Sequence, residues 1–321
     1  MKKLLALALI AVAGLAVGLW FIQGWSGSGP AKAPTPVVIA AGSSMVKAAK
    51  TLEEAGVIAS AERFLFQAKL FGGGSSIKAG EYEFPAGASH SQVLSILQSG
   101  KTLQRMVTVP EGMPSVLVHE RLMKAPTLTG EVPVPEEGSV LPNSYSYQRG
   151  ESRAAVLKRM QAAMTKTLDE LWPTRSPDSV VKDKREAVIL ASIVEKETGK
   201  ASERPMIAGV YSNRVRIGMK LDADPTVIYP ITKGRPLGRR IRQSELRANN
   251  GYNTYAMAGL PVGPIANPGK ESIAAVLKPA KTQALYFVAD GTGGHVFANT
   301  LAEHNANVQK WFALRRARGE M

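Results

Sequence analysis

The distribution of apolar residues sets the start of the chain apart from the rest. An uncharged run of 19 residues, Leu4 to Ile22, follows lysines at positions 2 and 3. This length is enough for a helix to cross the hydrocarbon core of a membrane, and Trp20 and Trp25 stand where interfacial aromatic residues are common. The pattern predicts a transmembrane anchor over residues 1–24, with a cytoplasmic N-terminus and an exported remainder. The alternative is a cleaved signal peptide, but the small-residue site at 31–33 lies well beyond the apolar core.

A second pattern follows the apolar run. Residues 25–36 are rich in Gly, Ser, Pro and Ala, which predicts a flexible linker. Three units then begin at Val37, Tyr82 and Val107, and in each a glycine precedes a leucine by ten residues. Each unit is predicted to be a short strand, a glycine turn and an amphipathic helix with a Ser or another polar residue at its N-cap. We expect a small α/β domain over residues 37–104.

The remaining chain, residues 105–321, has predominantly helical periodicity. Apolar spacing predicts helices over 151–171, from near Asp183 through Glu197, over 202–216 and over 301–316. Two short strands, 284–288 and 295–297, are predicted to pair through a glycine-rich turn. Residues 124–150 and the Gly/Pro-rich segment after Gly218 are predicted to be irregular. The sequence therefore predicts an α+β fold.

Composition narrows the chemistry that this fold can carry. The chain of 321 residues has no cysteine, four histidines and a formal net charge of +14. The lack of cysteine excludes disulfides and thiolate catalysis. His295 and His304 lack ligand spacing, so neither a metal site nor a cofactor is predicted.

The positive charge indicates polyanionic surroundings. An exported chain would meet anionic lipid or an acidic wall polymer rather than nucleic acid. The basic stretch that includes Lys233, Arg235, Arg239, Arg240, Arg242 and Arg247 is either such an attractive surface or a solvated face.

Two carboxylates at the end of an apolar helix are the strongest candidates for acid–base chemistry. Residues 187–194 are apolar or small, and Glu195 and Glu197 follow them. Burial raises the pKa of a carboxyl group, which suits a general acid near neutral pH. Side chains two residues apart on a helix point in directions about 200° apart. Only one of the two glutamates is therefore expected in a cleft. The other is expected to pair with Lys196 or Arg204. The alternative is that both mark the polar end of a buried helix.

From these residues onward the chain resembles a known family. The segment Ile189–Thr198 is similar to the catalytic helix of the YceG-like endolytic murein transglycosylases, the MltG family. Further matches follow in the family's order at Ala201–Arg204, Asn213–Arg214, Asp224–Tyr229, Tyr252–Tyr255, Gly259–Pro261, Asn267–Gly269, Tyr286–Asp290, Gly293–His295 and His304–Asn305. The resemblance is strong from about 184 to 310. A departure at Leu141–Tyr145, where the family typically has an aspartate after the proline, removes any role borrowed for Asn143.

The resemblance implies an enzyme without a cofactor. Glu197, the second glutamate of the motif, would be the catalytic acid of a lytic transglycosylase, a carbon–oxygen lyase acting on peptidoglycan. The bond after N-acetylmuramic acid would be cleaved and a 1,6-anhydro end formed, which terminates nascent glycan strands. The family layout also implies a catalytic domain over 105–321, a LysM-like wall-binding domain over 37–104 and association with cell-wall synthases (penicillin-binding proteins) at the inner membrane.

Further residues are assigned to binding the glycan strand. Tyr252, Asn253, Thr254 and Tyr255 mix the aromatic and amide groups that saccharide clefts use, although such a segment also serves as a packing unit. Asp224 is either a second acid, a residue that orients the sugar or a cap for the turn at Pro225. Glu195 is assigned to supporting this substrate site. The alternative functions are a peptidoglycan-binding scaffold without activity and a lysozyme-type hydrolase in which Asp224 is the second carboxylate.

Overall fold

The computed structural model of the protein describes residues 12, 18, 23–73 and 75–320. The predicted anchor over 1–24 lies outside the described residues except at positions 12, 18, 23 and 24. Within the described ranges, no helix has both the length and the apolarity to cross a membrane. The chain forms two compact units. The first comprises Met1–Arg105 and Ser146–Gly150, and the second comprises Met106–Tyr145 and Glu151–Met321. The mixture of helices and small sheets confirms the predicted α+β class.

The first unit packs three helices against a two-stranded sheet. Strand β1 (Thr35–Ile39) runs antiparallel to β2 (Gly80–Phe84). Helices α1 (Met45–Glu54) and α2 (Ala61–Phe71) connect the strands, and α3 (His90–Ser99) follows β2. Between these elements the side chains of Leu52, Phe64, Tyr82, Phe84 and Leu97 are fully buried.

The predicted strand–turn–helix unit occurs twice in this region. Gly42 and Gly87 have φ angles of 74° and 67°, a conformation that glycine adopts without steric cost. Ser44 and Ser89 then cap α1 and α3 by accepting hydrogen bonds from backbone N–H groups. Helix α2 is not among the predicted elements, because exposed apolar residues such as Phe66 obscure its amphipathic pattern.

The linker predicted to be flexible instead packs along the first unit. Gly29 N donates to Gly87 O at 3.0 Å, and Gly87 N donates to Ala31 O at 2.7 Å. The rings of Trp25 and Phe71 lie 5.6 Å apart. These bonds use the backbone of a sequence whose composition alone favours a solvated coil.

The second unit contains most of the helices. Its elements, in chain order and including two strands that cross the boundary with the first unit, are β3 (Arg105–Thr108), α4 (Ser115–Lys124), β4 (Ser144–Tyr147), α5 (Arg153–Leu171), α6 (Lys184–Glu197), α7 (Arg204–Arg216), α8 (Asp224–Thr232), α9 (Gln243–Leu246), α10 (Lys270–Leu277), β5 (Tyr286–Ala289), β6 (His295–Ala298) and α11 (Leu301–Ala317). Single 3₁₀ turns span Trp172–Thr174 and Ala201–Glu203. The predicted hairpin is confirmed as the antiparallel pair β5–β6.

Helix α6 is the centre of this unit. Its residues Ala187–Val194 are all buried, which is typical of a helix surrounded by protein on every side. Asp183 caps its first turn by accepting from Glu186 N at 2.7 Å. Helices α7, α8 and α10 pack against it. The helix ends at Glu197, because Thr198 has extended backbone angles.

Three elements of this unit contradict the predicted irregular segments. Helix α8 begins at Asp224 in a stretch expected to be irregular. Pro225 is compatible with it because the first helical turn needs no N–H donor. Helix α10 and strand β4 also lie within segments without a predicted element. Strand β4 has four residues, too few for a clear alternation of apolar and polar positions.

Candidate active site

The C-terminal end of α6 opens into a cavity of about 430 Å³. Its lining comes from four helices, strand β5 and the loops beside α8. It comprises Glu197, Tyr211, Arg214, Leu221, Asp222, Asp224, Tyr255, Tyr286, Phe287, Leu301 and His304. Glu197 and its potential partners therefore line one solvent-accessible cavity. The apolar part of α6 is followed by the residue whose carboxyl group lies in it.

The environment of Glu197 favours its protonated form near neutral pH. Burial is the largest effect, and together with the negative charge of Asp224 it raises the pKa of Glu197 to about 7. The hydrogen bond with Tyr211 and the charge of Arg214 oppose this rise. Glu197 Oε1 is buried and has no hydrogen-bond partner among the described residues. The hydrogen-bonding capacity of this oxygen is therefore not used within the described part of the protein.

Tyr211 and Arg214 reach the cavity from the same face of α7, since they are three residues apart. Burial raises the pKa of Tyr211 well above its usual value, so its hydroxyl stays protonated. Arg214 is 9% exposed and donates to Leu285 O at 2.6 Å and to Leu221 O at 2.7 Å. The guanidinium is therefore fixed, and its charge lies beside the acid.

Asp224 enters the cavity as the first residue of α8. The hydroxyl of Tyr255 donates to Asp224 Oδ1 at 2.7 Å. The pKa of Tyr255 is raised by burial and by this carboxylate, so Tyr255 remains a donor. Three carboxyl groups thus line the cavity, those of Glu197, Asp222 and Asp224. Glu197 is buried in protein, Asp224 is bound by a phenol, and Asp222 Oδ2 lies 3.8 Å from Arg214 Nη1.

Aromatic rings form another wall of the cavity. Tyr286 and His304 stack with ring centroids 5.2 Å apart, and the guanidinium of Arg214 lies 5.5 Å from the centroid of Tyr286. Burial and the charge of Arg214 lower the pKa of His304. The imidazole is therefore neutral at pH 7 and contributes a flat, uncharged surface.

Glu195 is directed away from this cavity, as the helical geometry predicts. Its Oε1 accepts from Arg204 Nη2 at 3.0 Å, and its Oε2 accepts from Gly269 N at 2.9 Å. Arg204 also donates to Glu111 Oε2 at 2.7 Å. The expected pairing with Arg204 is confirmed, but both carboxylate oxygens are engaged. Glu195 therefore stabilises the end of α6 and does not reach a substrate in the cavity.

Direct saccharide contact is predicted for Asn253 and Thr254, but both side chains are completely buried. Asn253 Nδ2 donates to Glu245 O, Leu246 O and Ala248 O at 2.8–3.1 Å. Thr254 Oγ1 accepts from Ala223 N at 3.0 Å. The two residues therefore hold the chain that carries Tyr255. They cannot touch a ligand without unfolding this loop.

Tyr252 is also placed outside the cavity. Its ring lies 5.0 Å from that of Tyr229, and it packs against the core around α6. Of the segment Tyr252–Tyr255, only Tyr255 lines the cavity.

Several cavity residues, notably Tyr211, Arg214, Tyr286 and His304, are not among those predicted from the sequence. The spacing of Tyr211 and Arg214 on a helix that directly follows the acidic pair is a signal that could have revealed the first two. No local pattern joins Tyr286 or His304 to Glu197, because the contact depends on how β5 and α11 pack.

Comparison with known proteins shows the family of the chain. The model of the YceG-like family matches residues 37–310. The chain belongs to the YceG-like family. The crystal structure of a YceG-like protein from Listeria monocytogenes has 29% sequence identity and a TM-score of 0.54, and the match covers 86% of this chain and 99% of that one. The family identified by resemblance is thereby confirmed.

Two curated relatives carry the name endolytic murein transglycosylase. The Bacillus subtilis protein is 28% identical over 314 residues, which cover 88% of this chain and 86% of that protein. The Streptococcus pneumoniae serotype 2 protein is 29% identical over 321 residues, which cover 85% of this chain. The match spans 57% of the pneumococcal protein's length.

Proposed function

We propose that the protein is an endolytic murein transglycosylase that cleaves the bond between N-acetylmuramic acid and N-acetylglucosamine within glycan strands. The observation that carries the proposal is the state of Glu197. It lines a cavity, its pKa is raised to about 7, and one buried oxygen has no partner among the described residues. A general acid is most effective when its pKa is close to the working pH. The names of the two relatives supply the substrate class.

The reaction needs only one carboxyl group. Protonated Glu197 donates its proton to the glycosidic oxygen as the bond from that oxygen to C1 of the muramic acid breaks. The C6 hydroxyl of the same sugar then forms a bond to C1, and its proton passes to the Glu197 carboxylate. The acid is regenerated, and the products are a 1,6-anhydro end and a free hydroxyl, without water. An intramolecular nucleophile is already in place, so no second carboxylate is required to activate it.

The neighbours of Glu197 have distinct parts in this scheme. The hydroxyl of Tyr211 orients the carboxyl group and stabilises it while it is ionised. The Asp224 carboxylate favours the protonated acid before the reaction and attracts the positive charge that develops at C1. The aromatic wall of Tyr286 and His304 offers a flat surface for a sugar ring.

A lysozyme-type hydrolase is the second candidate, because Asp224 lies in the same cavity as Glu197. Glycoside hydrolases use such a pair, with the second carboxylate acting as nucleophile or base. The hydrogen bond from Tyr255 occupies Asp224 Oδ1, which leaves this oxygen less available to attack a sugar carbon and favours the first candidate.

One digestion separates these functions. The full-length protein, purified in detergent, is incubated with purified murein, and the new ends are analysed by mass spectrometry. Anhydro ends support the transglycosylase, and reducing ends support the hydrolase. No cleavage by folded protein would favour a scaffold that only binds peptidoglycan.

The same proposal includes a cellular location. The apolar run Leu4–Ile22 would anchor the chain in the inner membrane with the second unit outside the cytoplasm, near cell-wall synthases. Protease added to spheroplasts should then cleave the chain outside the anchor, and crosslinking should recover penicillin-binding proteins. Complete protection from protease would overturn this location.

We also propose that residues 37–104 form a LysM-like module that binds glycan. Support comes from the order strand, helix, helix, strand over β1, α1, α2 and β2. Deletion of these residues should weaken sedimentation of the protein with purified murein sacculi.

A further inference from the structure

A second cavity, of about 300 Å³, lies beside the first in the same unit. Its lining is formed by the end of α6, the outer face of α8 and the loop that follows α8. The lining residues are Lys196, Pro225, Ile228, Tyr229, Gly234, Arg235, Pro236, Leu237 and Ile265. The acid–base chemistry proposed above uses none of them.

The surface of this cavity is apolar with cationic groups at its edge. Pro225, Ile228, Pro236, Leu237 and Ile265 supply aliphatic carbon. Two of the lining residues are cations, Lys196 and Arg235, and none of the described residues in the lining is acidic.

The cations differ in how far neighbouring acidic residues already neutralise their charge. Arg235 forms an ion pair with Glu120, which partly neutralises it. Lys196 is exposed, and Lys233 lies nearby with its ammonium 5.9 Å from the ring centroid of Tyr229. The cavity therefore suits a ligand that combines small apolar groups with at least one negative charge.

Neighbouring residues at the contact between α6 and α8 line the two cavities. On α6, Glu197 lines the first cavity and Lys196 the second. On α8, Asp224 lines the first cavity and Pro225 the second. Consecutive Cα atoms are about 3.8 Å apart, so the backbone that carries the lining of one cavity also carries the lining of the other. Three extended residues span about 10 Å.

We propose that this second cavity binds the acidic peptide stem carried by the muramic acid whose glycosidic bond is cleaved. This inference rests on the proposed function, since it takes murein as the substrate. The alanine side chains of the stem fit the aliphatic floor, and a stem carboxylate pairs with Lys196, with Arg235 as a second cation. Stem binding would then position the muramic acid against Glu197, and the enzyme would prefer glycan that still carries its peptides.

The test compares two substrates that differ only in the stem. Murein tetrasaccharides with intact stems, and the same tetrasaccharides after an amidase has removed the stems, are given to the full-length protein in detergent. The wild type should bind and cleave the stem-bearing form with at least tenfold higher kcat/KM. The ratio of the two rates should fall about tenfold in Lys196→Met, the loss typical of one charge-assisted contact. The fall should be smaller in Arg235→Gln.

Lys158→Met is a matched control, because Lys158 is an exposed lysine on α5 that lines neither cavity. Its rate ratio should equal that of the wild type. An unchanged ratio in Lys196→Met, or equal losses on both substrates, would overturn the stem site. So would calorimetry that shows glycerol 3-phosphate, a lipid headgroup probe, binding to the cavity in place of the stem-bearing tetrasaccharide.

Calorimetry with the Glu197→Gln variant separates this inference from the proposed activity. If the wild type cleaves neither substrate, a preference for stem-bearing tetrasaccharide that Lys196→Met abolishes would still support the site. If the wild type cleaves both substrates equally, the activity stands and the stem site fails.

Discussion

The side chains of Glu195 and Glu197 extend from α6 in opposite directions and meet different surroundings, although only one residue separates them. Glu195 is bound by the guanidinium of Arg204 and the N–H of Gly269. In the part of the chain that the structure describes, one buried oxygen of Glu197 has no partner. The first interaction is satisfied and stabilises the end of the helix. The second leaves a free-energy cost in the folded protein, which is the usual signature of a functional group.

We expect Glu197→Gln to abolish cleavage and to stabilise the fold at high pH. The folded pKa of Glu197, about 7, lies above the usual value of 4.5. The contribution of Glu197 to the free energy of unfolding is therefore fully present below pH 4.5 and is lost as the pH rises through 7. The full difference corresponds to about 3 kcal/mol. Denaturation of both proteins at pH 5 and pH 8.5 should show the variant gaining relative stability at the higher pH.

An equal stability difference at the two pH values would contradict the raised pKa of Glu197. Full murein cleavage by Glu197→Gln would contradict its assignment as the acid.

The opposite result is expected for the neighbouring glutamate. Glu195→Gln removes the negative charge that compensates Arg204, which is only 9% exposed. Breaking one side of a buried ion pair typically costs about 3 kcal/mol, and Glu111 retains part of the compensation. The melting temperature should fall, and the cleavage that remains at low temperature should keep the anhydro product. An unaltered melting temperature would show that Arg204 does not depend on Glu195.

The pH profile of cleavage offers a test of the electrostatics around the acid. Because Glu197 must be protonated, kcat/KM should decline as the pH rises through about 7. Asp224→Asn removes a charge that raises the pKa of Glu197, so this decline should move to lower pH. Tyr211→Phe removes a hydrogen bond that lowers the pKa of Glu197, so the decline in kcat/KM should move to higher pH.

Asp222→Asn is the control for these shifts. Asp222 lines the same cavity but is not among the groups that shift the pKa of Glu197. Its profile should decline at the wild-type pH. Shifts of Asp224→Asn and Tyr211→Phe in the same direction would refute the proposed arrangement of charges.

The sequence predicts those parts of the fold that depend on local periodicity. Helix α6 and the divergence of Glu195 from Glu197 follow from helical geometry and an apolar run. The hairpin β5–β6 follows from two short strands around a glycine turn. Helix α8 could not be predicted in this way, because Pro225 and Pro230 interrupt the pattern although the structure accommodates both within the helix.

The candidate site was predictable only where a single residue carries the signal. Glu197 stands out as a carboxylate at the end of an apolar helix. His304 joins it through the packing of α11, which no local spacing encodes. The polar segment Tyr252–Tyr255 differs, because the structure places only Tyr255 of its four residues in the cavity. Amide and hydroxyl groups that bind saccharides equally satisfy buried backbone, and only burial distinguishes the two uses.

That distinction leads to a prediction for Asn253. Its amide donates to three backbone carbonyls and its Oδ1 accepts from Tyr255 N at 2.9 Å. Asn253→Ala leaves these buried groups unpaired and should lower the free energy of unfolding by about 2 kcal/mol. Denaturant titration measures this loss, and limited proteolysis should locate the loosened chain at residues 243–255.

Asn249→Ala provides the comparison, because Asn249 is an exposed asparagine four residues earlier in the same loop. Its stability should stay within about 0.5 kcal/mol of the wild type. The decisive measurement is KM for murein at a temperature where Asn253→Ala remains folded. A positioning role predicts loss of kcat as Tyr255 and Asp224 lose their alignment, with KM little altered. A large rise in KM at unchanged stability would instead restore Asn253 as a direct contact to the sugar.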